Sequence, residues 1–230
     1  MSLTEATINA KELKKIRQDI FKFSQNPQKV NIVAVTKTFS FSAIESAYKN
    51  KIYNIGENKI QELEKKTQEK QSPKNLKIHF IGKLQKNKIK KAVKLCDYIH
   101  SADSIKTIDR INQQAKKIEK KQKIYLQVNT GKDEKKQGFL PKETEEACQT
   151  ISKYKNISIE GIMTILPQKI TEKKTNELYA QTKKIQKKIQ RKYFKKCKKL
   201  SMGMSADYKV ALACGATEIR IGTKLYGSRT

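Results

Sequence analysis

Eight short apolar runs, separated by longer amphipathic segments, recur from one end of this chain to the other, and no other feature restricts its fold as much. The runs cover residues 30–36, 52–55, 78–81, 98–100, 124–128, 157–163, 200–202 and 218–221. Stretches such as VNIVAV and KIYLQV are nearly continuous in apolar residues, the pattern of parallel strands buried on both faces. Repeated strand-then-helix units imply a parallel sheet with its helices outside. Eight of them imply a closed barrel or a long doubly wound sheet, and 230 residues suit the barrel. No Pro/Gly/Ser-rich linker or internal repeat breaks the series, so residues 1–230 are expected to form a single (β/α)8 TIM barrel of the α/β class. An extra N-terminal helix, residues 4–23 within a leading segment 1–25, is expected to pack on it. Ser42 with Glu45 reads as a capping box for one helix, and Asp103 as the cap of another that carries Ile105, Ile108, Ile111, Ala115 and Ile118.

Composition narrows the function. No stretch reaches about 18 apolar residues, so a membrane span is not expected. The N-terminus contains acids and lacks an apolar core of signal-peptide length, which points to a cytoplasmic protein. The four cysteines form no C-x-x-C pair and read as reduced thiols. With two histidines, His79 and His100, no metal site is expected. The net charge of +29 invites a nucleic-acid reading, because lysine and arginine neutralise phosphates. The excess is mostly lysine, however, and is spread along the whole length. It peaks at residues 173–199, where Leu178, Thr182, Ile185 and Ile189 mark one apolar helix face opposite a lysine-coated outer face. A solvated face is the simpler account, and no specific nucleic-acid partner is expected.

Small and polar residues collect just after the apolar runs, where a parallel barrel opens all its strand ends onto one rim. Lys37 ends the first run in VAVTKT, where partial desolvation would favour the neutral amine that attacks an aldehyde. By position alone it is equally a rim lysine whose head reaches water. Gly56, Glu57 and Asn58 follow the second run, Ser101 the fourth and Asn129 the fifth. Residues 201–205 follow the seventh, and Gly222 with Thr223 follow the eighth. Taken singly, the glycines are ordinary turn residues. Two glycine-containing loops after strands seven and eight are a recurring barrel phosphate site, to which Ser205 and Thr223 would add hydroxyls.

The segments AVTKT, GENKIQE, HFIGKLQKNK, IHSADS, LQVNTGKDEKKQG, EGIMTI, LSMGMSADYKVALACGAT and RIGTKLYGSR, in order from about Val33 to Arg229, resemble the YggS/PROSC family of pyridoxal phosphate homeostasis proteins. The resemblance implies the fold-type III barrel of the alanine racemase N-terminal domain. It also implies pyridoxal 5′-phosphate (PLP) as cofactor, held as a Schiff base on Lys37. By the same carry-over Ser205, Gly222 and Thr223 bind the phosphate, Arg220 faces the pyridine nitrogen and Asn58 lies near the ring oxygen. Met204 matches a family methionine near the phosphate loop. Lys83 departs from the family, where histidine or a small residue is usual, and its role is left open.

These expectations lead to a PLP carrier that supplies apo-enzymes, without robust catalysis of its own and with no catalytic residue assigned. An arginine at the pyridine nitrogen only donates and weakens the ring as an electron sink. A racemase also needs a second base, which in alanine racemases comes from a C-terminal β domain. The sequence stops at Thr230 and leaves no room for one. The alternative, a racemase or lyase, would have to use Tyr226, and a basic nucleic-acid binding protein is the third reading. No strongly apolar surface helix argues for an obligate dimer, so a monomer is expected.

Overall fold

In the computed structural model, which describes residues 3–227, eight parallel strands close into a barrel in sequence order. They are β1 (Asn31–Val35), β2 (Asn54–Glu57), β3 (Lys77–Phe80), β4 (Tyr98–Ala102), β5 (Gln122–Gln127), β6 (Ile157–Met163), β7 (Lys199–Met204) and β8 (Glu218–Ile221). Every apolar run named above overlaps one of them, although Val30, Thr36, Ile52, Tyr53, Ile81 and Val128 fall outside the strands. The seam pairs Asn31 with Glu218, Ile32 with Ile219, Val33 with Arg220 and Ala34 with Ile221. Ser101, Gly56 and Glu57, expected beyond the strand ends, lie inside β4 and β2.

The helices α1 (Ala10–Phe23), α2 (Phe41–Lys49), α3 (Ile60–Glu69), α4 (Ile89–Leu95), α5 (Ile105–Lys117), α6 (Thr144–Ile151), α7 (Glu172–Lys192), α8 (Tyr208–Ala213) and α9 (Thr223–Tyr226) surround the sheet. The main core lies between the two layers, where Ala34, Ile55, Phe80, Ile99 and Ile124 of the strands meet Ile44, Leu63, Val93, Ile108 and Ile189 of the helices. On α7, Leu178, Thr182 and Ile189 are buried and Ile185 partly so. Lys173, Lys184, Lys187 and Lys188 are exposed, which is the expected solvated face. No helix among the described residues is long and apolar enough to cross a membrane.

Three local expectations are corrected. The N-terminal helix starts at Ala10, not at residue 4, because the amides before it are used elsewhere. Ala6 and Ile8 donate to the hydroxyls of Ser42 and Ser46, and Asn9 donates to the Leu225 carbonyl while its side chain accepts from the Glu12 amide. Ser40, not Ser42, caps α2, since the Ser42 hydroxyl is taken by Ala6. Ser104, not Asp103, caps α5 by accepting from the Thr107 amide at 3.2 Å, and Ile118 falls outside that helix and is exposed. The four cysteines are free, in keeping with reduced thiols, and all are buried.

Candidate functional site

Four consecutive strands of the barrel, β7, β8, β1 and β2, carry all six residues singled out from the sequence. Lys37 follows β1, Asn58 follows β2, Ser205 follows β7, Arg220 lies in β8, and Gly222 and Thr223 come directly after it. Because Val35 is in register with Gly56 and Ala34 with Ile221, these strand ends form one continuous arc of the C-terminal rim.

Lys37 is half-buried, and the residue before it is held from behind. The Thr36 hydroxyl donates to Glu57 Oε1 at 2.6 Å, and its carbonyl accepts from Lys66 Nζ at 2.8 Å. Lys66 also meets Glu57 Oε1 at 2.6 Å, and both side chains of this ion pair are fully buried. Burial raises the Glu57 carboxyl above its usual range although Lys66 and Thr36 pull it down. On the other side, Thr38 has φ +71°. That conformation is strained for a β-branched residue, and it is fixed here by donation from the Thr38 amide to Glu62 Oε2 at 3.0 Å. Strain of this kind gathers at ligand clamps.

Asn58 has its side-chain oxygen buried with no partner among the described residues. A Cβ on Gly82 would lie 2.2 Å from the Asn58 carbonyl oxygen, so only glycine lets the loop after β3 press Asn58 into place. The chain turns within the end of β7 at Gly203, with φ +91°, where a Cβ would stand 2.6 Å from that of Ala211. Beyond the turn, Asp207 accepts from the Met204 amide and the Tyr179 hydroxyl, both at 2.7 Å. Ser205 Oγ accepts from the Lys224 amide at 3.4 Å and ties this loop to the start of α9. Gly222 is buried there and Thr223 is exposed, while Met204 is exposed on the flank. Arg220 is buried inside the barrel. It donates from Nη1 to Ser201 Oγ at 2.8 Å and from Nη2 to the Thr164 carbonyl at 2.9 Å.

Other expected residues stand apart. Tyr226 donates to the Ala43 carbonyl at 3.0 Å and packs on Phe39, and burial raises its pKa, which suits a structural hydroxyl and not a base. Asn129 is occupied in its own loop, bonding to Asp133 and Lys136. Lys83 is exposed, on a groove shared with Lys86, Lys106 and Arg110.

Sequence reasoning missed the barrel interior. It contains Tyr98, Tyr125 and Met163 together with a polar set of His79, His100, Ser201, Glu218 and Arg220. The two histidines, dismissed as too few for a site, touch at 2.8 Å. Their equivalent third positions in KIHF and YIHS, on adjacent strands, were the signal.

A half-buried amine, a buried guanidinium, an unpartnered amide oxygen and two hydroxyl-bearing loops at a helix start together suit a small anionic carbonyl compound. A family profile described as "Alanine racemase, N-terminal domain" matches residues 12–230. A relative from Synechocystis named "Pyridoxal phosphate homeostasis protein" is 36% identical over 203 residues, covering 88% of this chain and 93% of the relative. The structure of PipY from Synechococcus elongatus without PLP superposes with a TM-score of 0.87 at 35% identity, covering 95% of this chain and 99% of PipY. Its form with PLP bound gives 0.86 at 34%, with the same coverage. The chain thus belongs to the alanine racemase N-terminal domain family, in the group whose curated members are named pyridoxal phosphate homeostasis proteins.

Proposed function

We propose that this chain is a PLP-binding protein of cofactor homeostasis that tethers PLP on Lys37 and supplies it to apo-enzymes, without robust turnover of its own. The observation that carries the reading is the continuous arc of Lys37, Asn58, Ser205, Arg220, Gly222 and Thr223 on four adjacent strand ends, in which the buried Asn58 amide oxygen has no hydrogen-bond partner among the described residues. PipY, solved with PLP bound and about one-third identical, supports it. Bound PLP supplies an aldehyde, and Lys37 Nζ condenses with it to a Schiff base with loss of water. Ser205, the backbone at Gly222 and the Thr223 hydroxyl hold the phosphate at the start of α9. Asn58 offers its free oxygen to the ring substituents. Arg220 directs donors at the ring, and a guanidinium neither gives up nor relays a proton at neutral pH. Residues 1–230 act as one unit in this role, as a cytoplasmic monomer.

The test is the absorption spectrum of purified protein with added PLP. A Schiff-base band is expected that disappears in Lys37→Ala. A band that persists moves the linkage to another lysine, and racemase or transaminase turnover at ordinary enzyme rates removes the carrier reading.

A further inference from the structure

We infer that Asn54, His79, His100 and Ser201 form a one-way hydrogen-bond chain that fixes the Arg220 guanidinium from inside the barrel, making these four positioning residues for the ligand at the rim. The distances run Arg220 Nη1 to Ser201 Oγ 2.8 Å, Ser201 Oγ to His100 Nδ1 3.0 Å, His100 Nε2 to His79 Nδ1 2.8 Å and His79 Nε2 to Asn54 Oδ1 3.0 Å. The direction follows from the first donor. Arginine only donates, so Ser201 accepts from it and gives its own proton to His100 Nδ1. A neutral His100 then carries its proton on Nε2 and donates to His79 Nδ1. His79 in turn donates from Nε2 to the Asn54 oxygen. Reversing the chain would leave the buried Ser201 proton without an acceptor and set the His79 nitrogen against the Asn54 oxygen, acceptor to acceptor.

The surroundings hold both rings neutral. His79 faces Tyr98, stacked at 4.5 Å, and Lys199, and burial with that ammonium takes it down to about 3. His100 is stacked on Tyr125 at 4.0 Å, and burial, His79, Arg220 and Lys199 all act against its charge. Glu218 Oε2 lies 3.8 Å from His100 Nε2, but the carboxylate is engaged through Oε1 by Tyr125 at 2.7 Å and Lys199 at 3.4 Å. By distance alone His79, His100 and Glu218 could also hold a metal ion. A dication would have to break the histidine pair and sit beside Lys199 and Arg220, so the hydrogen-bond chain is the better account of the same groups.

The chain has two histidines, so nitrogen-15 labelling of histidine reports these two rings alone. In the ligand-free protein near neutral pH, both rings should be neutral and protonated on Nε2. A ring protonated on Nδ1, a charged ring or a mixture of tautomers overturns the ordering. Asn54→Leu should shift the His100 nitrogens although Asn54 does not bond to that ring; unmoved signals count against a connected chain. The effect on the rim rests on the proposed PLP site. There, Ser201→Ala should weaken PLP affinity roughly tenfold, as expected for loss of one hydrogen bond to a charged group, and Ser201→Thr should restore it. Unchanged affinity in Ser201→Ala refutes the positioning role. A wild-type protein without any PLP band refutes the proposed function instead, and the ring-nitrogen result still decides the chain.

Discussion

Replacing Lys66 by methionine should be among the most damaging single changes in this protein that leave the rim residues untouched. Lys66 and Glu57 are both fully buried, 2.6 Å apart, beneath the Thr36 carbonyl. Methionine keeps most of the volume but leaves the buried carboxylate with the Thr36 hydroxyl, and Oε2 already has no hydrogen-bond partner among the described residues. Breaking a buried ion pair in this way costs about 3–5 kcal/mol. For a chain of this size that corresponds to a fall in Tm of roughly 10 °C. The loss depends on pH. Burial already raises the Glu57 pKa, and removing Lys66 raises it further. Stability tied to a raised carboxyl is fully present below its unfolded value and is lost as pH rises through the folded one. The variant should therefore be nearest to wild type in acid and furthest from it at pH 8. Urea denaturation at pH 5 and pH 8 measures this. Adding Glu57→Gln to Lys66→Met should recover at least half of the loss, since the uncompensated charge is gone. A Lys66→Met protein within about 1 kcal/mol of wild type at pH 8, or a double variant no better than the single, would refute the reasoning.

Gly203→Ala should destabilise by about 2 kcal/mol or more in thermal melts, because it combines a positive φ with a 2.6 Å approach to Ala211. Ser104→Ala should cost about 1 kcal/mol, the usual worth of an N-cap, whereas Asp103→Ala should cost less than half of that. Tyr226→Phe should lose about 1 kcal/mol for the bond to Ala43 and leave the PLP spectrum unchanged; loss of the spectrum would bring Tyr226 back into the site.

What the sequence made legible was whatever its one-dimensional periodicity controls. The runs at 157–163 and 218–221 coincide with β6 and β8, since an apolar run bounded by turn residues leaves little choice of register. Placing Lys37 and Gly222 on one rim needed only the rule that parallel strands end together. The caps were missed by one or two residues because neighbouring hydroxyls and carboxylates compete for the same amides. Ser42 lost that competition only because Ala6, distant in sequence, claims it. The interior chain was hidden for a related reason. A single histidine within an apolar strand shows neither which way it faces nor what it meets, and closure of the barrel brings Ser201 to His100 across 101 positions.

The seam between β1 and β8 has one further consequence. Its two strands lie at opposite ends of the chain, and until β8 arrives the free edge of β1 has nothing to pair with. The pocket therefore exists only once two strands from opposite ends of the chain have paired, so a chain made only as far as β7 would not yet have it. A ligand spanning Lys37 on one strand and Thr223 beyond the other would act as a clasp across that join. At a hundredfold excess over its dissociation constant it would add about 2.7 kcal/mol against unfolding. Occupancy would thereby govern how long the folded protein survives.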